Sequence, residues 1–270
     1  MEEEYADEFL RIFEESIKKL RRNEQAAVAF SGGLDSSVLA RVLKNLNLNF
    51  QVYVAGIKES KDISQAKKVA QELGINLSVI ELSEREIEQA IPIVRDILQN
   101  LYEKTKQEAL KPNPIPISFN LPLFFVAKYA KEKTIFVAQG PDEMLGGYTR
   151  HLKLGKEESI NEMKKNTGDF IQFGALQNIA IGEYFHKKVI MPYLEKELVN
   201  FCISLPYDLK INQGIRKYIL RKVSEKAGLS EETSFSNKRA CQYGSGIIYV
   251  MKRLAKKKGV HISRYVREAR

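Results

Sequence analysis

Apolar residues recur at helical spacing over the first twenty positions, at Tyr5, Phe9, Ile12, Phe13, Ile17 and Leu20, with glutamates ahead of them and Lys18, Lys19, Arg21 and Arg22 behind. That charge order suits a helix dipole and predicts a packing helix. Ala26 to Phe30 is a short unbroken apolar run, the pattern of a strand buried on both faces, and Ser36 to Lys44 returns to helical periodicity. The unit repeats, with Phe50 to Ile57 as strand, Asp62 to Leu73 as helix and Gly74 as the residue that closes it. Leu77 to Leu82 reads as a third strand. Ser83 with Glu86 makes a capping-box pattern before a helix through about Leu98. Four prolines, Pro112, Pro114, Pro116 and Pro122, predict a loop over Lys111 to Pro122 that leads into a helix from Leu123 to Lys131. Thr134 to Ala138 is one more buried strand.

Strands alternating with helices imply an α/β fold with a doubly wound, mainly parallel sheet of about five strands, whose ligands sit at the carboxyl ends of the strands. Past Tyr148 the pattern offers amphipathic helical segments, such as Glu195 to Ile203 and Lys217 to Lys226, and no convincing strand. The expected organisation is an α/β domain over residues 1–150, including the N-terminal helix. A helical subdomain over residues 151–270 would complete the site. A chain of 270 residues has room for that and little more.

Composition changes this picture in few places. A hydrophobic fraction of 44%, with 16 Gly and 8 Pro, excludes a disordered or fibrous chain. The N-terminus is acidic where a signal peptide would be basic, and no apolar stretch approaches the roughly 20 residues of a membrane span, so a soluble, cytoplasmic protein is expected. Cys202 and Cys241 lie far apart and read as buried free thiols, not as a zinc site or thiol relay. The net charge of +9 is concentrated: Lys252 to Arg270 carries eight Lys or Arg against one acid, Glu268. Such a tail offers a site to nucleic acid. The plainer alternative is a solvated helix whose lysine stems cover apolar surface.

Candidate chemistry gathers at two strand ends. Ser31-Gly32-Gly33-Leu34-Asp35-Ser36-Ser37 joins a strand to a helix, and its small residues let backbone N–H groups approach an anion at the positive end of that helix. Asp35 beside phosphates makes sense when Mg²⁺ bridges them. The spacing is not that of the P-loop, which needs Gly-x-x-x-x-Gly-Lys-Ser/Thr. Gln139-Gly140-Pro141-Asp142-Glu143 ends the fourth predicted strand, and acids there can hold Mg²⁺ or orient a substrate.

Ser-Gly-Gly-x-Asp-Ser resembles the phosphate loop of the ATP pyrophosphatases, which cleave ATP between its α- and β-phosphates and form an adenylate. Gly140 to Tyr148 is similar to the Gly-x-Asp-Glu-x-x-Gly-Gly-Tyr signature of the asparagine synthetase branch. Further matches are Gly56 to Gly74 with Ser60 and Asp62 in Ser-x-Asp spacing, Met191 to Glu195 against a Pro-Phe-Leu-Asp segment, and Lys217 to Arg221 against a Lys-x-x-Leu-Arg helix. Lys238 to Gly246 and Gly147 to His151 look closest to the stand-alone asparagine synthetase domain-containing type.

The resemblance implies an adenine nucleotide alpha hydrolase-like fold, with ATP and Mg²⁺ as cofactors. Nucleotide contacts would come from Ala29, Ser31, Gly32, Gly33, Leu34, Asp35, Ser36, Ser37, Ala55, Val137 and Ala138. Asp35 and Asp142 would share the metal, Glu143 would face the substrate, and Lys238 would stabilise charge on the reacting phosphates. The implied partners are a small carboxylate, with aspartate a candidate, and ammonia or another amine.

The pattern departs from that family at named positions. Residue 2 is Glu2 where glutamine-hydrolysing members expose a catalytic cysteine, so any glutaminase is expected to be a separate chain. Gln139 stands where the family has a glutamate that helps the attacking nitrogen, Val137 replaces a serine, and Ile190 replaces an arginine. An amide has no useful pKa, so Gln139 can orient a nucleophile but not deprotonate it. Adenylation is therefore better supported than asparagine formation. Two alternatives stay open: an RNA-modifying pyrophosphatase that uses the basic tail, and an ATP-binding regulatory protein that has lost the reaction.

Overall fold

The computed structural model describes residues 2–20, 25–236 and 241–269. In chain order its elements begin with α1 (Glu2–Leu20), β1 (Ala26–Ala29), α2 (Leu34–Asn45), β2 (Phe50–Ile57), α3 (Lys61–Leu73), β3 (Leu77–Leu82) and α4 (Glu84–Thr105). There follow α5 (Pro114–Tyr129), β4 (Thr134–Val137), α6 (Pro141–Met144), α7 (Lys156–Asp169), α8 (Ala175–Tyr184), β5 (Lys188–Ile190) and α9 (Lys196–Ser204). The rest comprises α10 (Tyr207–Lys210), β6 (Ile211–Asn212), β7 (Ile215–Arg216), α11 (Tyr218–Ala227), α12 (Glu231–Ser234), α13 (Cys241–Gly244), α14 (Ile247–Lys257) and α15 (Ile262–Glu268).

Five strands form one parallel sheet in the order β3-β2-β1-β4-β5. Because successive side chains of a strand point to opposite faces, each strand feeds two cores. Val28, Val52 and Phe136 face a cluster with Phe9 and Phe13 of α1, Leu39 of α2, Val69 of α3 and Leu220 of α11. Ala27, Tyr53, Ala55 and Ile135 face another with Ile87 and Val94 of α4, Phe125 of α5 and Met251 of α14. This is the doubly wound arrangement that the apolar runs imply, and burial on both faces is why those runs do not alternate. Strand order reverses between β1 and β4, so a crevice opens beyond their carboxyl ends.

Two expectations are corrected. The proline-rich segment is not a loop, since α5 starts at Pro114. The Asn113 side chain accepts from the Ile115 N–H at 3.1 Å, and the first N–H groups of a helix have no internal partner, so Pro114 and Pro116 forfeit nothing there. Only Pro122, deeper in the helix, removes an internal bond. The stretch after Tyr148 does hold a strand: β5 pairs parallel with β4, Ile135 opposite Val189 and Phe136 opposite Ile190, and completes the sheet. A small antiparallel pair, β6 with β7, follows. The capping box at Ser83 and Glu86 is present, and its helix runs on to Thr105.

The basic C-terminal stretch is folded onto α4. Val250, Met251, Leu254, Tyr265 and Val266 are buried, while Arg253 and Lys257 both pair with Glu84 and Lys258 lies 3.5 Å from Glu88. Among the described residues no helix is long and apolar enough to cross a membrane. Cys202 is buried and its thiol is pushed up to about 12 by desolvation; the side chain of Cys241 lies outside the described residues.

At the far end of β2, Asp62 is enclosed against Gly244 of α13, and desolvation raises its carboxyl from 3.8 to about 7. Below the lower value the group is protonated whether or not the chain is folded. Between the two values the unfolded chain loses its proton first, so stability falls as pH rises and has lost the full contribution above the upper one. Asp62→Asn is therefore expected to be more stable than the parent at pH 8 by about 2–4 kcal/mol, and to differ little near pH 4. Urea unfolding at the two pH values measures this.

Candidate functional site

The first loop is held open by its own geometry. Gly33 occupies the N-cap of α2 with extended backbone and no side-chain cap, so the N–H groups of the first turn project from the helix end. Ser31 Oγ accepts from the Gly33 N–H at 3.3 Å and lies 3.4 Å from Ser36 Oγ, which in turn donates to the Gly33 carbonyl at 3.1 Å. Ser37 Oγ is buried with no hydrogen-bond partner among the described residues. Beneath the loop the fully buried Tyr193 stacks on Phe13, ring centroids 4.2 Å apart, and its hydroxyl donates to the Asp35 carbonyl at 3.0 Å. The Met191 to Glu195 segment thus supports the first loop from below.

The second loop leaves β4 at Ala138 and Gln139 and turns at Gly140, whose φ of 115° a side chain would resist. Leu194 fills the space where a β-carbon would stand. Asp142 and Glu143 lie on the short α6 that follows, and the Gly147 N–H returns to the Asp142 carbonyl at 2.9 Å.

Lys217 joins the two loops. Its backbone is left-handed, with φ of 55°, its N–H donates to the Leu145 carbonyl at 3.1 Å, and its side chain is 3% exposed. The ammonium lies 2.6–2.7 Å from the Asp35 carboxylate oxygens and 2.9 Å from Asp142 Oδ1. Desolvation lowers its pKa, and the charges of Asp35 and Glu143 oppose that shift. Arg221, one helical turn further on, is close enough to Asp35 to feel its charge. The motif match marks the segment, but nothing local in the sequence indicates that Lys217 bridges both loops.

Glu143 is buried, which raises its pKa, while a hydrogen bond donated by the Tyr148 hydroxyl opposes the rise. The Tyr148 phenol is raised in turn, by burial first and then by the Glu143 charge. A carboxyl raised on folding contributes stability at low pH that is lost as pH climbs through its folded value. Tyr148→Phe raises Glu143 further, so its destabilisation relative to the parent should be small near pH 4 and grow to about 1–3 kcal/mol by pH 8. Chemical denaturation across that range tests the sign.

Among the sequence-derived candidates, the Ser31 to Ser37 loop, Asp35, Asp142 and Glu143 converge around Lys217. Ala29 and Val137 are partners in the β1–β4 ladder, and Ala55 lies further along β2. Gln139 is turned toward Asn178 of α8, a residue the sequence gave no reason to select. Lys238 lies outside the described residues.

The residues fit MgATP in two respects. Uncapped N–H groups and small side chains suit a phosphate chain. Among the described residues no cluster of three or more His, Cys, Asp or Glu encloses a metal. Asp35 and Asp142 both pair with the Lys217 ammonium, and as two neighbouring carboxylates they are of the kind that hold Mg²⁺ together with substrate phosphates.

Known proteins resemble the chain as follows. The sequence model of the asparagine synthase family matches residues 8–189 and 186–258. The chain is 24% identical to a protein provisionally named asparagine synthetase [glutamine-hydrolyzing] 1 from Methanocaldococcus jannaschii, over 95% of this chain and 52% of that one. It is 29% identical to the glutamine-hydrolysing asparagine synthetase of Gallus gallus, over 81% of this chain and 39% of that one. The chain thus spans about half or less of these relatives. Two solved structures are remotely similar. A predicted subunit of tRNA methyltransferase from Methanocaldococcus jannaschii has a TM-score of 0.35 at 19% identity, covering 80% of this chain and 94% of that one. NMN synthetase from Francisella tularensis has 0.35 at 12%, covering 97% of each.

Proposed function

The chain belongs to the asparagine synthase family, and on that premise we propose that it is an ATP-dependent, adenylating and amide-forming ligase. The observation that carries this reading is the meeting of Asp35 and Asp142, from loops at the ends of β1 and β4, on one buried ammonium at the sheet's reversal point. In the first step an oxygen of a substrate carboxylate attacks the α-phosphorus of ATP and pyrophosphate leaves. In the second an amine attacks the acyl carbon, the bond to AMP breaks, and the nitrogen sheds a proton to water.

The protein's part is binding and electrostatics. N–H groups of the Ser31 to Ser37 loop would hold the phosphates, with Ala29, Ala55, Val137 and Ala138 at the neighbouring strand ends lining the nucleotide. Lys217 and Lys238 would offset charge that develops on the departing pyrophosphate. Asp35 and Asp142 would hold Mg²⁺, which when bound neutralises phosphate charge. Glu143, buried beside Tyr148, would face the carboxylate substrate, whose α-ammonium, in the case of aspartate, it can pair.

Ammonia or another amine, free or delivered by a glutaminase, would supply the nitrogen. An RNA substrate is less favoured, because Arg253, Lys257 and Lys258 of the basic stretch are already paired with α4.

The test is carboxylate-dependent exchange of labelled pyrophosphate into ATP, together with AMP release once ammonium is added, with aspartate first in a panel of carboxylates. The reading fails if no carboxylate supports exchange with MgATP.

A further inference from the structure

One peptide plane governs where the Lys217 side chain can go. The peptide bond between Arg216 and Lys217 leads from β7 into α11, and both of its polar ends are held. Its N–H donates to the Leu145 carbonyl of the second loop at 3.1 Å. Its C=O accepts from Arg221 Nε at 2.9 Å. Turning the plane would break both bonds, and its orientation sets the Lys217 φ of 55°, a left-handed value that a β-carbon resists. From that backbone the lysine stem runs past Gly147, where a β-carbon would stand 2.6 Å from Lys217 Cε, to the carboxylates of Asp35 and Asp142.

Arg221 reaches beyond this plane. It stands one turn into α11, where its own N–H donates to the Lys217 carbonyl at 3.1 Å. The far end of its guanidinium, Nη1, donates to the Ser234 carbonyl at 2.7 Å, with a longer contact to the Ser236 carbonyl at 3.4 Å. The guanidinium carbon lies 5.6 Å from the centre of the Phe235 ring. The two nitrogens therefore have separate tasks: Nη1 ties the end of α12 to α11, and Nε holds the plane ahead of Lys217. A guanidinium can do both because its donors point in fixed, different directions.

We propose that Arg221 is a positioning residue that acts through Lys217: its Nε holds the Arg216 carbonyl, and with it the left-handed turn that aims the ammonium between the two loops. The proposal rests on the reading of those loops as the phosphate site. Arg221 itself touches no phosphate in this arrangement. Its contribution is to keep the ammonium in place when a phosphate chain arrives, since a lysine that relaxed to right-handed backbone would carry its stem away from both loops.

The experiment uses the full chain, with inorganic pyrophosphate and AMP titrated separately by calorimetry. Pyrophosphate reports the place where Lys217 acts, and AMP has no pyrophosphate to bring there. The deciding variant is Arg221→Lys, which keeps the charge and a terminal donor for Ser234 but has a methylene where Nε stands. It is expected to weaken pyrophosphate binding by at least about fivefold and AMP binding by less than about twofold, with Arg221→Met no better on pyrophosphate. In a Lys217→Met background, Arg221→Lys should change pyrophosphate binding by less than about twofold, because the group it positions is gone. Parental pyrophosphate affinity in Arg221→Lys would overturn the proposal, as would equal losses for the two ligands or a loss undiminished in the Lys217→Met background. Where Arg221→Met or Lys217→Met does not fold, Arg221→Lys still decides through the two ligands. A parent chain that binds neither ligand would instead remove the reading of the loops, and this proposal with it.

Discussion

Lys217→Met is expected to lower pyrophosphate exchange by at least about a hundredfold, and to destabilise the fold by about 3–5 kcal/mol at neutral pH. The reason is the company of the ammonium. Lys217, with a side chain 3% exposed, reaches both loops at once, beside carboxylates that are 15% and 22% exposed. Removing one partner of a buried ion pair takes counter-charge away from carboxylates that remain largely desolvated, and that penalty exceeds what the intact pair contributes. Lys217→Arg is no remedy. The branched guanidinium is wider than an ammonium, and the lysine stem already lies where a β-carbon on Gly147 would stand. Denaturant titration and the exchange assay, run on the same preparations, separate the two losses. Near-parental exchange in Lys217→Met would remove Lys217 from the site.

Gly32→Ala is expected to have the next largest effect, weakening ATP binding by at least about a hundredfold and costing about 1–3 kcal/mol of stability. Gly32 has φ of 70°, and a β-carbon there would stand 2.7 Å from backbone atoms of Gln65 and Ala66 in α3. A helix backbone cannot step aside as a side chain can, so the loop must move instead. Gly33→Ala is the control: its φ is negative, and the β-carbon would meet only Ser31 Oγ, at 3.3 Å. Its stability should stay within about 1 kcal/mol of the parent. Nucleotide titration and thermal unfolding of the pair distinguish backbone geometry from mere bulk.

The parallel sheet was legible because β1 to β4 are apolar runs flanked by helices of ordinary periodicity. β5 was not. Lys188–Ile190 is three residues long, and a strand so short has too few positions to show any period. The reading of α5 failed for a different reason: a proline count ignores position, and Pro114 and Pro116 lie in the first turn, where proline is tolerated. At the site, Asp35, Asp142 and Glu143 were found through loops that are continuous in sequence. Lys217 and Asn178 matter because of what they meet from elsewhere in the chain, and the chain has many lysines and asparagines with the same local surroundings. Spacing marked Lys217 as the start of a Lys-x-x-Leu-Arg match without showing that it bridges the loops, and neither periodicity nor spacing marked Asn178.

The bridge between the loops also sets an order of events during synthesis. Asp35 and Asp142 are made long before residue 217, and β5, which closes the sheet edge, also precedes it. A nascent chain that has already paired β1 with β4 therefore brings two carboxylates together with their shared lysine still untranslated. The central strands can form early, whereas the loops above them settle only when α11 arrives and docks beside α1 and α2. For this chain, the part that would hold nucleotide is among the last to be finished, and an incomplete product would carry the sheet without a working phosphate site.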